Sequence, residues 1–237
     1  MTDEPKKHPF DAILFDLFGT LVSSGNRAAR NAFIEDIADA LELEPGSFLK
    51  DFLGSQDQRM RGEIGLAESF KRIASSHGRH PTDSQIRRAV EIRSGYAWHL
   101  METCPATIPV LDNLREAGLR LAVVSDCSEE TPLQWPRSPL SSRIEVTAFS
   151  CQVGHRKPDR QIYWHALRAL DLPAARCAFV GDGGSHELTG ATNVGLSAFL
   201  YRFPKDNLDE AYQLDRETDW PGPVLSDLRF FLSPRIS

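Results

Sequence analysis

Apolar positions are grouped in two ways along this chain. Between Arg27 and about Leu100 they recur at helical spacing. "RNAFIEDIADALEL", "GLAESFKRIASSHG" and "PTDSQIRRAVEIRSGYAWHLM" follow this pattern, and no strand signal interrupts them. Gly78 gives the second a stop, and Thr82 or Asp83 gives the third a cap. Elsewhere, short apolar runs alternate with amphipathic stretches. "DAILFD", "LRLAVVSD", "IEVTAFS", "CAFVGDG" and "LSAFLY" read as strands. "IPVLDNLREAG", closed by Gly118, "PDRQIYWHALRALDL", "HELTGATNVG" and the closing "PVLSDLRFFL" read as helices. Strands that are apolar without alternation belong to a parallel sheet covered on both faces, so the expected class is α/β. A helical unit follows the first strand. "EETPLQWPRSPLSSR", Glu129 to Arg143, holds three prolines and is expected to form an irregular loop where a helix would otherwise stand.

A chain of 237 residues suits one large domain or a core with a smaller insert, and 41% hydrophobic residues suffice for a real core. Residues 1–9 are polar and expected to be loose. A formal net charge of −6 argues against a general nucleic-acid or anionic-membrane surface. The four cysteines, Cys104, Cys127, Cys151 and Cys177, form no Cys-x-x-Cys pair and read as reduced, mostly buried thiols. "MTDEPKKHPF" lacks the apolar core of a signal peptide, and no run is long enough to span a membrane. The expectation is a soluble cytoplasmic protein, monomer or homodimer, whose partner is a small molecule and neither nucleic acid nor membrane.

Three of the strands end in polar residues: Asp16, Ser125 and Asp182. In an open parallel sheet, ligands bind outside the carboxyl ends of the strands, so these three are placed to share one site. Lys157, in "KPD" before a helix, is placed to bring a cation there. Taken singly, each has an ordinary reading: a helix cap, a turn residue, a solvated loop charge. Together, two carboxylates, a hydroxyl and a lysine make an electrostatic clamp for a phosphoryl group and a hard metal ion.

In these residues the chain resembles the haloacid dehalogenase-like hydrolase superfamily. Four ordered motifs carry the resemblance: "FDLFGTLV", "VVSDCS", "GHRKPDRQIY" and "FVGDGGSHELTGATNVG". It covers about residues 10–22 and 105–200. It implies a Rossmann-like doubly wound parallel core, residues 1–22 and 104–237, with an inserted helical cap, residues 23–103. It implies Asp16 as a nucleophile forming an aspartyl-enzyme intermediate. Thr20 and Ser125 would bond the active-site loop or phosphoryl oxygens, with Asp126 beside Ser125 at the substrate. Lys157 would neutralise charge. Asp16, Asp182 and the Phe18 main-chain carbonyl would bind Mg2+, with Glu187 where the family often has a second Asp.

Phe18 departs from the family's phosphatases, which carry an acid there to protonate the leaving group and activate water. The 2-haloacid dehalogenases also have an aromatic residue at this position, and Lys157 with Tyr163 resembles a dehalogenase pair. "GDGGSHE" keeps metal-site acids that the dehalogenases lack. The expected activity is a Mg2+-dependent phosphatase of a small phosphorylated metabolite. The alternatives are a metal-free dehalogenase and a binding protein with weak or lost catalysis. His186 is a candidate substitute acid or base. Substrate choice is expected in the cap, where "SQDQRMRGEIG" carries Arg59 and Arg61 as anion ligands. Arg27 and Arg30 are similar candidates.

Overall fold

The computed structural model describes residues 8–23, 25, 27–103, 106–202, 217 and 219–233. The first strand, β1 (Ala12–Phe15), is buried along its whole length. The chain then enters a bundle of five helices: α1 (Arg27–Ala40), α2 (Pro45–Gly54), α3 (Gln56–Met60), α4 (Leu66–Ser76) and α5 (Asp83–Leu100). Val22 and Thr103 form an isolated bridge, so the chain leaves and re-enters side by side. The second half runs α6 (Thr107–Glu116), β2 (Arg120–Ser125), α7 (Glu130–Gln134), β3 (Val146–Phe149), α8 (Ser150–Val153), α9 (Arg160–Leu170), β4 (Cys177–Gly181), α10 (Glu187–Asn193), β5 (Ser197–Tyr201) and β6 (Val224–Leu225).

The six strands make one sheet in the order β3-β2-β1-β4-β5-β6, and every pairing is parallel. This is the expected α/β Rossmann-like core. Both faces are covered, which explains strands without alternation. Ile13, Phe15, Leu121, Val123 and Val180 pack with Leu111 and Leu114 of α6 and with Phe231. Ala12, Leu14, Ala122, Val124 and Phe179 pack with Ile162, Ala166 and Leu170 of α9 and with Leu188 and Ala191 of α10. β1 lies between β2 and β4 in register, Phe15 opposite both Val123 and Val180. The carboxyl ends of these three strands therefore open at the point where strand order reverses, where α/β sheets bind ligands.

The bundle has its own apolar core. Ile37, Phe48, Phe70, Ile73 and Ala89 are buried there, and Phe33 stacks on Tyr96 at 4.0 Å between centroids. Phe18 packs against both this core and the sheet's. Gly78 follows α4 at φ +69°, as its stop signal implied. Thr82, not Asp83, caps α5: its Oγ accepts from Gln85 N at 3.3 Å, and Gln85 Oε1 accepts from Thr82 N at 2.9 Å.

Three local expectations need correction. The link from Ser55 to Gly65 contains α3, and the preceding stretch holds α2, so the insert has more helices than the periodicity revealed. The three-proline segment opens with α7 and a 3-10 turn, Trp135–Arg137. Pro132 is tolerated because it sits in the first turn of α7, where a backbone N–H has no intrahelical acceptor. The closing "PVLSDLRFFL" is not one helix. Leu225 pairs with Tyr201 in β6, Asp227 is extended at φ −149°, and only a 3-10 turn, Leu228–Leu232, follows. Cys127, Cys151 and Cys177 are free thiols, and Cys104 lies outside the described residues. Among the described residues, no helix is long and apolar enough to cross a membrane.

Changing Thr82 to Ala removes one half of the reciprocal cap on α5. Stability is expected to fall by about 1 kcal/mol, read as a lower urea midpoint at unchanged slope. An unchanged midpoint would show that the cap contributes nothing net.

Candidate active site

Asp16 follows β1 directly, and its N–H donates to Val180 O at 2.8 Å, extending the sheet contact by one residue. The residue is 5% exposed. Thr20 Oγ1 donates to Asp16 Oδ2 at 3.1 Å, so the turn after the strand orients the acid. Asp182 stands after β4. Gly19, at φ +84°, lies against it: a Cβ on Gly19 would sit 2.4 Å from Asp182 Oδ2. Glu187 opens α10 and is fully buried. Its Oε1 accepts from Gly183 N at 2.9 Å. A Cβ on Gly181 would sit 2.2 Å from that oxygen, so glycine there makes the room Glu187 occupies. Asp16, Asp182 and Glu187 each offer a carboxylate oxygen, all within 4.8 Å of one another.

One ammonium serves this cluster. Lys157 Nζ lies 2.5 Å from Asp16 Oδ1 and 2.5 Å from Glu187 Oε2. Its backbone N–H donates to Asp126 Oδ1 at 2.8 Å, which fixes where the side chain starts. Burial raises the Asp16 pKa to about 6, the Lys157 charge pulling it down and Asp182 pushing it up. Burial likewise lifts Glu187 well above the ordinary carboxylate range, against the pull of Lys157. Burial alone would lower the Lys157 pKa, but the Asp16 and Glu187 charges outweigh it and hold the amine protonated. Asp16, Asp182 and Glu187 thus bring three buried carboxyl groups to one point, with Lys157 at two of them. Such a donor set, all hard oxygen, suits a divalent cation such as Mg2+.

A cavity of about 170 Å³ opens over the cluster. Asp16, Asp182, Glu187 and Lys157 line it, with Phe18, Asp126 and Ser128. The bundle contributes Gln56, Met60, Arg93, Ala97 and Leu100 to its wall. Ser125, at the end of β2, is fully buried and does not line the cavity, and its hydroxyl has no partner among the described residues.

The two bundle arginines singled out from the sequence do not line this cavity. Arg59 is 4% exposed, lies 3.7 Å over the Phe52 ring and donates to Ser55 Oγ at 2.5 Å. Burial lowers its pKa to about 10. Arg61 is spent on Asp57 and Asp159, each at 3.0 Å. Arg30 is not at the cavity either, and the side chain of Arg27 lies outside what is described. His186 is exposed, at φ +49°, and turned away from the lining. Tyr163 is buried and donates to Glu187 O at 2.8 Å, so it steadies α10 rather than facing the cavity. The cationic side chains that do reach the lining besides Lys157 are Arg93 and Arg156. Arg93 sits mid-helix and reads locally as a solvated charge. Arg156 adjoins Lys157 in the third motif, and that adjacency was the signal available for it.

A family model of hydrolases, described as haloacid dehalogenase-like hydrolase, matches residues 10–195. A glyceraldehyde 3-phosphate phosphatase of Methanopyrus kandleri is 27% identical over 202 residues, 78% of this chain and 81% of that protein. Among solved structures, a HAD phosphatase of Thermococcus onnurineus shares the fold at a TM-score of 0.68 and 20% identity, covering 95% of this chain and 99% of its own. An L-2-haloacid dehalogenase is 26% identical at a TM-score of 0.61, covering 92% of this chain and 95% of its own.

Gly19→Ala would force a Cβ into the Asp182 carboxylate and a side chain into left-handed backbone. Stability is expected to drop by more than about 1 kcal/mol, measured by denaturant unfolding. Full stability in this variant would show that Asp182 is free to retreat from the cluster.

Proposed function

The chain belongs to the haloacid dehalogenase-like hydrolases, and from that premise we propose that it is a Mg2+-dependent phosphatase of a small phosphorylated metabolite. The observation that carries this reading is the buried cluster of three carboxyl groups, Asp16, Asp182 and Glu187, beside Lys157. Asp16, Asp182, Glu187 and the main-chain carbonyl of Phe18 would hold the ion. When bound, Mg2+ supplies charge that draws a phosphoryl group onto the strand ends and stabilises its oxygens during transfer.

In this reading an Asp16 oxygen attacks phosphorus, the bond to the leaving oxygen breaks, and that oxygen keeps the electron pair. Asp16 then carries the phosphoryl group as an acyl phosphate. Lys157 offsets charge on the nucleophile and on the phosphoryl oxygens. Thr20 holds the carboxylate's orientation. Ser125, whose hydroxyl has no partner among the described residues, donates to a phosphoryl oxygen. Water next attacks the phosphorus of the intermediate, releasing inorganic phosphate and restoring Asp16. A leaving oxygen that needs a proton takes it from solvent and the attacking water gives one up to solvent, because the Phe18 ring can neither give nor take one. Leaving groups that depart without protonation are therefore favoured. The five-helix bundle, within residues 23–103, acts as the cap. Arg93 and Arg156 give the cavity wall a cationic side that suits an anionic substrate. The relative from Methanopyrus kandleri is named for a substrate of this kind, a small phosphorylated metabolite.

The Phe18 ring at the cavity favours a second reading, a 2-haloacid dehalogenase. There Asp16 displaces a halide that leaves unprotonated, and no metal is needed. Asp182 and Glu187 then have no task, which is why the phosphatase is preferred.

Calorimetry is expected to show Mg2+ binding that is lost in Asp182→Asn; equal binding by the variant would refute the metal site. Asp16→Asn should abolish slow, Mg2+-dependent hydrolysis of an activated aryl phosphate. Chloride release from 2-haloacids without metal would favour the second reading. Turnover of neither class would favour a binding protein. Phe18→Asp, once shown to fold, should raise phosphatase turnover, most for poor leaving groups. The gain should stay below the roughly 10²–10⁴-fold typical of acid–base help, because the pocket was not shaped for an acid. A folded, metal-binding variant with no gain on any phosphate would count against the phosphatase.

A further inference from the structure

We infer that Glu217, outside all four motifs, is the positioning residue that holds the loop carrying Asp182 and Glu187; its consequence for metal binding rests on the function proposed above. The helix α10 begins badly by itself. His186, at its N-cap position, is in left-handed backbone and makes no side-chain cap. The N–H groups of Leu188 and Thr189 still need acceptors. Glu217 supplies both from a distant part of the chain. Its Oε2 accepts from Leu188 N at 2.8 Å and its Oε1 from Thr189 N at 2.9 Å. Thr189 Oγ1 also donates to Oε1.

The same residue grips the other end of the loop. Glu217 N donates to Gly183 O at 2.8 Å. Between these two holds, Gly183, Ser185 and His186 all have positive φ, at +92°, +54° and +49°. Two of them are not glycine, and such backbone persists only where its surroundings over-determine it. The proposed metal ligands are bonded to this loop: Gly183 N donates to Glu187 Oε1 at 2.9 Å, and Gly184 N to Asp182 Oδ1 at 3.0 Å. Releasing the loop releases both carboxylates. Glu217 is only 8% exposed, and its carboxylate is bonded to the first turn of α10.

The test is Mg2+ calorimetry on the full chain with Glu217→Ala, Glu217→Gln and Thr82→Ala. Partners that orient metal ligands typically carry about 10–100-fold in affinity, and Glu217→Ala should lose an amount in that range. Glu217→Gln keeps one acceptor and should lose less, but measurably. Thr82→Ala, less stable but remote from the loop, should bind as the parent does, which separates positioning from a general loss of stability. Amide hydrogen exchange without metal should quicken at Leu188 and Thr189 in both Glu217 variants. Parent-like Mg2+ affinity in folded Glu217→Ala overturns the inference and leaves the phosphatase reading standing. If Glu217→Ala does not fold, parent-like affinity in Glu217→Gln overturns it. If the parent itself binds no Mg2+, the metal reading fails, and exchange decides: unchanged protection at Leu188 and Thr189 overturns the role of Glu217, and lost protection supports it.

Discussion

The buried Lys157 ammonium, shared between Asp16 and Glu187, is the interaction on which the strand ends depend. Carboxylates this close and this buried repel one another and lose hydration, and only a cation among them makes the arrangement tolerable. Everything that positions Lys157 therefore positions the site. Asp126, after β2, holds its backbone. Asp126 also faces Arg156 at 3.5 Å, and Arg156 reaches Asp57 of α3 at 2.9 Å. Tyr163 of α9 holds the backbone of Glu187. Segments far apart in sequence thus meet at one charge.

Besides Phe18, which packs on both apolar cores, polar contacts around the cavity join the bundle to the sheet. Arg61 pairs with Asp159 at the start of α9. The segment with three prolines takes part three times. Glu129 Oε1 accepts from Leu66 N at 2.7 Å, capping α4 from outside. Glu130, 1% exposed, pairs with Arg93 of α5 at 2.7 Å. Arg137 adds its guanidinium over the Trp98 ring at 4.4 Å. Exposed pairs of this kind contribute little each, whereas the buried Arg93–Glu130 pair is desolvated and sensitive to geometry. A segment expected to be an irregular loop is a rim to which the bundle is fastened.

Most of the α/β core was legible in the sequence because its signals are local. Apolar runs such as "AILF" and "CAFV" are strands whatever surrounds them, and a strand-end acid is visible without coordinates. Asp16, Ser125 and Asp182 could be brought together because parallel topology gathers strand ends, whereas Glu187 came only from the family resemblance. What stayed hidden depends on tertiary contact. Arg93 reaches the cavity only because α5 lies over it, whereas Arg59, on a more suggestive link, folds back onto Phe52. The break at Asp227 was hidden because Leu225 finds a partner in β5. Glu217 carried no local signal at all, since its partners lie about thirty positions earlier.

Gly181 and Glu187 divide a single small space between them. The oxygen of Glu187 fills the point where any other residue at 181 would place its first carbon. The two positions are therefore one unit of variation. Enlarging 181 requires the carboxylate at 187 to move or the side chain to shorten. Related chains should change these two positions together or not at all. A designer who wishes to alter the reach of the acid at 187 has to treat the strand end as part of the same side chain.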